Sequence, residues 1–363
     1  MANGSYRRIS DKSTSIENDA NDDNTLDINI IFDDLPRHIA FICDGNSRWS
    51  EQQQQQQQQQ DQQSRQSILQ LPGLSSSLIP KSMIGHAAGA DRVVRLIDTL
   101  LSMRQKQHQL NQHSGKKKHN ASIQYCTLFA FSTENWSRPY QEVYSLFQVL
   151  EQMAIHYSNH DTALREGRVQ IRILGDLEDE RIPKSTSKEL RNLELKSKVA
   201  CDERRRRRKE NDATASDGGL QVVGVDHGDV LDGDVDDDVL TICLAINYGG
   251  RADILRAATE LALSIINESS SATTSSSSDS AMADAAATVN EREISKRLCT
   301  SSLPDVDLIV RTGGERRLSN FFLWEAAYAE LYFTDVFWPD FDEQELEKAL
   351  VWYGKRNRRF GGR

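Results

Sequence analysis

The chain has 363 residues, with 44 Lys and Arg against 54 Asp and Glu, a formal net charge of −10. Only 38% of residues are hydrophobic and the mean hydropathy is −0.59. No window reaches the roughly 18 continuous apolar residues of a membrane-spanning helix, so an integral helical membrane protein is excluded.

Residues 1–35 hold three basic and eight acidic residues. They read as a disordered acidic tail, without the apolar core of a secretory leader or the Arg-rich look of a transit peptide. His38–Cys43 is a short apolar run, a buried strand that breaks at Asp44-Gly-Asn. Gln52–Gln60 is an unbroken glutamine tract, and the polar bias continues to about residue 80, so 51–80 reads as a surface insertion. Over Ala88–Met103, Val93, Val94, Ile97, Leu100 and Leu101 recur at helical period. Residues 104–120, rich in Gln, His and Lys, form a second insertion.

Tyr125–Phe131 is strand-like. Glu142–His156 is helical, with Val143, Leu146, Phe147 and Leu150 on one stripe. Val169–Leu174 alternates apolar and polar residues, the period of a strand. Residues 204–238 read as a third insertion. It opens with six basic residues, Arg204–Lys209, open to three readings: a nuclear signal, an anionic-membrane patch, or a solvated loop neutralised by the Asp run that follows. Asp232–Asp238 superficially suggests a calcium loop, but Asp237 and Cys243 stand where Gly and Glu are required. Leu240–Ala245 is a strand, Arg251–Ile266 a helix and 269–288 a Ser/Thr-rich insertion. Asp307–Val310 and Leu331–Phe333 are the last strands and Glu343–Tyr353 the last helix. The aromatic residues from Phe321 to Trp338 are expected to be mostly core.

Near-continuous apolar strands alternating with helices predict an α/β fold: one domain over 36–363, with a central, mainly parallel sheet flanked by helices and interrupted by low-complexity insertions. Without tail and insertions roughly 220 residues remain, the size of one substantial domain. The five cysteines (Cys43, Cys126, Cys201, Cys243, Cys299) form no CxxC pair, which argues for a reducing compartment and against a zinc site. Residues 1–35 and 211–239 together carry −14, leaving +4 on the remainder. That suits an anionic ligand but not a nucleic-acid stripe.

The chemistry is expected where strands end. Asp44-Gly-Asn-Ser-Arg-Trp49, Phe131-Ser-Thr-Glu-Asn-Trp-Ser-Arg138, Asn247-Tyr-Gly-Gly-Arg251 and Arg311-Thr-Gly-Gly-Glu-Arg-Arg-Leu-Ser319 each follow a predicted strand. Each offers Gly for close backbone approach or Arg for phosphate oxygens. Arg48, Arg251, Arg311 and Arg317, with Asp44 and Glu330 as possible metal ligands, describe a pocket for a diphosphate and a hard cation. No Walker A sequence is present, which speaks against a P-loop NTPase. His38 and His86 flank the first loop, each open to a core or a site role. The helix stripes could be core or could line a tunnel for a hydrophobic tail; periodicity does not separate the two.

Taken in order, His38-x5-Asp44-Gly-Asn-x-Arg-Trp49, Gly85-His86-x2-Gly89, Phe131-Ser-Thr-Glu-Asn-Trp136-x-Arg138-Pro139, Asn247-Tyr-Gly-Gly-Arg251 and Asp307-Leu-Ile-Val-Arg-Thr-Gly-Gly-Glu315 resemble the cis-prenyltransferases, the undecaprenyl and dehydrodolichyl diphosphate synthases. The similarity continues through Tyr328–Phe333 and Trp338–Phe341 to Arg358–Gly362.

The resemblance implies condensation of isopentenyl diphosphate with an allylic diphosphate, with farnesyl diphosphate as primer, to a long-chain polyprenyl diphosphate with new cis double bonds. It implies Mg²⁺ held by Asp44 and Glu330, and an allylic diphosphate cradled by Gly45, Asn46, Arg48 and Trp49 with Gly85, His86 and Gly89. Arg311, Arg317 and Ser319 would contact isopentenyl diphosphate. Phe131, Ser132, Glu134, Asn135, Trp136 and Arg138 would form a loop closing over substrate. Asn46 and Ser132 are candidates for assisting loss of the C2 proton. A homodimer is implied, peripheral on the cytoplasmic face of the endoplasmic reticulum or in the cytoplasm. The low-complexity insertions favour a eukaryotic chain and dolichol synthesis. Two departures stand out: Ser82 where relatives commonly carry Arg, and Arg316 where bacterial relatives often carry His. They mildly motivate the alternative of a non-catalytic accessory subunit, against which the intact Asp-Gly-Asn loop and the Arg359-x-Gly361 ending weigh.

Overall fold

The computed structural model describes residues 35–65, 81–114, 122–215, 239–271 and 289–356. In chain order its elements are β1 (His38–Ile42), α1 (Asn46–Arg65), α2 (Lys81–Ser114), β2 (Tyr125–Ser132), a 3₁₀ turn (Thr133–Ser137), α3 (Tyr140–His160), α4 (Thr162–Arg165), β3 (Val169–Leu174), α5 (Lys184–Ala215), β4 (Leu240–Tyr248), α6 (Gly250–Ser271), α7 (Glu291–Ser295), β5 (Leu308–Arg311), β6 (Glu330–Phe333), a second 3₁₀ turn (Trp338–Asp340) and α8 (Glu343–Gly354).

The six strands pair in the order β3-β4-β2-β1-β5-β6, and every pairing is parallel. Parallel neighbours need crossovers, and the crossover helices cover both faces of the sheet. The strands therefore bury both sets of side chains. Along β1, Ile39 and Phe41 join a core with Leu100 of α2, Phe147 of α3 and Leu346 of α8, whereas Ala40 and Ile42 join the opposite layer with Phe321 and Phe322. Phe41 is fully buried, 5.7 Å ring to ring from both Trp338 and Phe341. That burial contributes about 2–3 kcal/mol. The mainly parallel α/β sheet predicted from sequence is the sheet found.

The chain first builds leftward from β1 to β2, β3 and β4, then crosses to β5 and β6 on the other side of β1. The order reverses at β1. A crevice opens beyond the carboxyl end of such a strand, because its two flanking connections run apart. Asp44 lies in that crevice.

The insertion boundaries are where the structure differs. Helix α1 carries the glutamine tract as far as Arg65, α2 runs on to Ser114, and α5 runs through the basic run to Ala215. Glutamine, lysine and arginine have good helix propensity, so a helix can propagate through them without an apolar stripe. The basic run Arg204–Lys209 is thus helix, not loop. The tail, the acidic run from 216 to 238, the Ser/Thr-rich run after Ser271 and Arg358–Gly362 lie outside the described residues.

Candidate active site

Strand β1 delivers Asp44 one residue before a glycine that only a glycine can be. Gly45 has φ +103°, and a Cβ there would stand 2.5 Å from the Phe337 ring. The tight turn starts helix α1 at Asn46, so the first-turn N–H groups of α1, which have no intrahelical acceptor, face the crevice. Strand β5 ends beside it with Arg311, only 3% exposed. The Arg311 Nη2 donates to Asp44 Oδ2 at 2.8 Å, and Nη1 donates to Ser319 Oγ at 2.8 Å and to the Arg317 carbonyl. Its Nε is buried without a partner. Asp44 Oδ1 accepts from Gly45 N at 2.7 Å and from Arg48 Nη2 at 3.1 Å. Thr312 Oγ1 clips the loop from beneath, donating to the Asp44 carbonyl at 2.8 Å. Burial pushes the Asp44 carboxyl up, but Arg311, Arg48 and the Gly45 N–H together outweigh it and hold it below the usual carboxylate range.

These groups line a polar cavity of about 620 Å³. Asp44, Gly45, Asn46, Arg48, His86, Ser132, Glu134, Asn135, Arg138, Arg311, Arg317 and Ser319 all reach it. At its inner end Cys43, Asn46, His86, Phe129, Ala130 and Leu146 are shared with a second, apolar cavity of about 110 Å³ between α2, α3 and the sheet. The stripes on α2 and α3 are thus core and tunnel lining at once: Leu100 and Phe147 pack the core, whereas Val93, Leu146 and Leu150 face the channel. His86 sits at this junction. It is buried with neither ring nitrogen partnered, and burial lowers its pKa to about 4, so it is neutral at pH 7. The Asn46 Oδ1 beside it is also buried without a partner.

Several expected site residues do something else. Glu330 opens β6 at the amino end of the sheet, opposite Leu308 in register, whereas Asp44 and Arg311 lie at the carboxyl end. It pairs with Arg356 at 3.0 Å and does not join Asp44 within this chain. Gly85 is not among the residues lining the polar cavity; a Cβ there would meet the Asn46 carbonyl at 2.3 Å, so it lets α2 pack against α1. Gly89 faces the apolar cavity, where a Cβ would meet Asn46 Oδ1 at 2.5 Å. The Trp49 indole donates to Asp340 at 2.8 Å, away from the cavity. Phe131 is buried edge-on to Trp136, whose indole donates to Asn247 at 2.8 Å and lies under the Arg181 guanidinium. Both are supports of the loop. Arg251 is exposed outside the cavity, and its N–H donates to Asn320 Oδ1 at 2.9 Å. His38 is a core histidine, bonded to Thr127 and to the Pro304 carbonyl. Arg316 does not reach the cavity, and the side chain of Ser82 lies outside the described residues.

Sequence reasoning missed Asn320 as a site residue. It lines the cavity, and its Nδ2 donates to Glu134 Oε1 at 2.7 Å while its carbonyl accepts from Gly250 N at 2.7 Å. Three loops from three strands meet on this one residue, at φ +63°. The signal available was the residue type, since Asn is the common non-glycine residue in the left-handed region. The Asn247-Tyr-Gly-Gly stretch proves to be the brace behind these loops: a Cβ on Gly249 would stand 2.5 Å from Thr133 Oγ1.

Among the described residues no group of three or more His, Cys, Asp and Glu side chains stands ready to hold a metal. Two carboxylates, Asp44 and Glu134, line the polar cavity, and Asp44 is the one set against the guanidiniums of Arg48 and Arg311. That donor set fits Mg²⁺ arriving with a diphosphate, since Mg²⁺ commonly takes one or two carboxylates plus phosphate oxygens.

The family model described as "Putative undecaprenyl diphosphate synthase" matches residues 75–205 and 230–361, more than half of the chain. The chain is 32% identical over 326 residues to the ditrans,polycis-undecaprenyl-diphosphate synthase ((2E,6E)-farnesyl-diphosphate specific) of Escherichia coli strain K12, covering 90% of each chain. To an isoprenyl transferase of Neisseria gonorrhoeae it is 31% identical over 327 residues, again covering 90% of each. Its fold is similar to lavandulyl diphosphate synthase from Lavandula x intermedia, solved with dimethylallyl diphosphate, at TM-score 0.57, 22% identity and coverage of 90% of this chain and 98% of that one. The chain therefore belongs to the cis-prenyltransferase family, the prenyl-group transferases that include the undecaprenyl diphosphate synthases.

Proposed function

We propose that the chain condenses isopentenyl diphosphate with an allylic diphosphate, farnesyl diphosphate as the first primer, and repeats the step to make a long-chain polyprenyl diphosphate. The observation that carries this reading is the continuity of a guanidinium-lined polar cavity with a narrow apolar one through Asn46, His86 and Ala130. A molecule with a doubly charged head and a growing hydrocarbon tail fits that shape.

In each step the allylic C1–O bond breaks, C4 of isopentenyl diphosphate bonds to C1, and the C2 proton leaves as its electrons form the new double bond. Diphosphate departs with the charge of the broken bond. Arg48 and the first-turn N–H groups of α1 bind the allylic head, and Arg311, Arg317 and Ser319 bind the second substrate. Asp44 orients Arg48 and Arg311 and is the residue to hold Mg²⁺, which when bound supplies positive charge to the leaving diphosphate. Ser132 and Asn46 assist removal of the C2 proton. Neutral His86 keeps the throat uncharged, so the carbocation-like centre forms away from water.

The pairing of Asp44 with buried Arg311 favours an active enzyme over an accessory subunit. The reading includes a homodimer through the exposed edge strand β6, which would let Glu330 serve a partner's cation. It also includes dehydrodolichyl diphosphate as product at the cytoplasmic face of the endoplasmic reticulum, supported by the insertion-rich composition. No helix among the described residues is long and apolar enough to cross a membrane.

The test is incubation of purified full-length protein with farnesyl diphosphate, radiolabelled isopentenyl diphosphate and Mg²⁺. Labelled long-chain product is expected, and Asp44→Ala should abolish most of it. No incorporation by the wild type, activity only with a second chain, or an undiminished rate in Asp44→Ala overturns the reading.

A further inference from the structure

A third cavity, of about 880 Å³, opens at the opposite end of the sheet from Asp44. It lies at the amino ends of β2, β3 and β4, against one face of α5. It shares no lining residue with the diphosphate cavity and only Ile171 with the apolar one, and along β2 its nearest lining residue, Tyr125, is about 13 Å from Phe129 of the diphosphate cavity at ~3.3 Å per residue.

Its walls carry Arg172, Arg191, Lys198, Arg205 and Lys209 against one carboxylate, Glu194. The four cations from α5 recur at positions 191, 198, 205 and 209, one face of a helix. Because the basic run continues α5, two of its six members, Arg205 and Lys209, turn into this cleft. One carboxylate does not balance five cations. Glu194 Oε1 accepts from Ile173 N at 2.9 Å and caps the edge strand β3. Arg172 donates to Ser302, Arg191 pairs with Glu178 outside the cleft lining, and Arg205 pairs with Asp202 at 3.2 Å. The Nε of Arg205 is nonetheless buried without a partner, and exposed Lys198 makes no ion pair among the described residues. Like charges crowded round a concavity repel one another unless an anion enters, and low-dielectric walls concentrate their field. Guanidiniums with adjacent ammoniums suit phosphate oxygens. Leu195, 61% exposed, adds an apolar contact at the rim.

The geometry points to a second anion site, separate from the prenyl-transfer centre, that takes a phosphate or diphosphate group, either free or borne on a lipid head. This does not depend on the chain's substrate specificity.

Equilibrium dialysis of full-length protein against radiolabelled inorganic diphosphate tests it. Two sites per chain are expected. Arg191→Glu combined with Lys198→Glu should weaken one by on the order of tenfold or more, with far-UV circular dichroism and condensation kcat unchanged. Arg311→Ala should weaken the other. Lys198→Ala alone should give a smaller loss at the same site, which keeps the test readable if the double variant misfolds. Sedimentation with phosphatidylcholine vesicles, with and without phosphatidic acid, distinguishes the sources. Retention on phosphatidic acid that the double variant loses assigns a lipid head, and two soluble sites without retention assign a free anion. A single wild-type site lost in Arg311→Ala with no vesicle retention overturns the proposal. So does binding to either probe that the cleft variants leave unchanged.

Discussion

Asn320 holds three active-site loops together, and its replacement separates backbone strain from hydrogen bonding. In Asn320→Ala a β-carbon without a polar side chain is held at φ +63°, which costs about 1–2 kcal/mol. The bond to the Arg251 N–H is lost, worth about 1 kcal/mol, and the bond to exposed Glu134 adds only a few tenths after screening. The expected loss of stability is thus about 2–3 kcal/mol. Asn320→Gly loses the same bonds without the strain, so it should cost about 1–2 kcal/mol, offset partly by its flexible unfolded chain. Asn320→Asp keeps the backbone conformation and the acceptor for Arg251, but sets a carboxylate against Glu134. In the wild type burial raises the Glu134 pKa, while the Asn320 amide and other local donors lower it further and set it below the ordinary range. The aspartate should reverse that shift and loosen the Ser132–Arg138 loop. Urea unfolding followed by tryptophan fluorescence reads the first two variants, and kcat and KM for isopentenyl diphosphate read the third. Equal destabilisation in Ala and Gly would refute the strain argument. An Asp variant with unchanged KM at pH 7 would refute the clamp.

Asp44→Ala should lower kcat on the order of a hundredfold or more, measured by label incorporation. It should also lower the urea midpoint, because Arg311 is left buried without its carboxylate. Trp49→Phe should cost about 1 kcal/mol for the lost bond to Asp340 and leave kcat/KM nearly unchanged; a large kinetic loss would place the indole at the substrate after all. Ala130→Leu should narrow the throat and shorten the products, as read by reversed-phase chromatography, with initial rate on the first condensation retained. The pH dependence follows from buried His38, whose burial lowers its pKa from 6.5 to about 4. Between those values the unfolded chain binds the proton and the folded chain does not, so stability falls as pH drops through this window. The full loss from this one group is about 3 kcal/mol. Depressed carboxylates such as Asp44 act in the same direction, but only nearer pH 4 and below. A urea midpoint constant from pH 7 to pH 4.5 would refute the neutral-histidine account.

Much of this protein is legible in its sequence. The strand Val169–Leu174 has the bounds predicted from its alternation, because period-2 burial is a local property of the chain. The apolar runs, helical stripes and terminal loops sufficed for a parallel sheet with its chemistry at the strand ends, and the ordered motifs sufficed for the family. Helix α5 was not foreseen, since its charged carboxyl-terminal half reads as an insertion. It is anchored by Leu190 and Leu193, two buried residues in its first half. What the tertiary structure decided was which motif residues share a space. Trp49 stands in the motif of Asp44 and Arg48, Gly85 in that of His86, and Phe131 and Trp136 in that of Ser132 and Glu134, yet none of the four lines the polar cavity, and Glu330 lies at the far end of its strand. A linear pattern records that a residue type is needed, but not on which side of a loop its side chain falls. That depends on the reversal of strand order at β1 and on backbone contacts, such as Gly85 against Asn46, between residues distant in sequence.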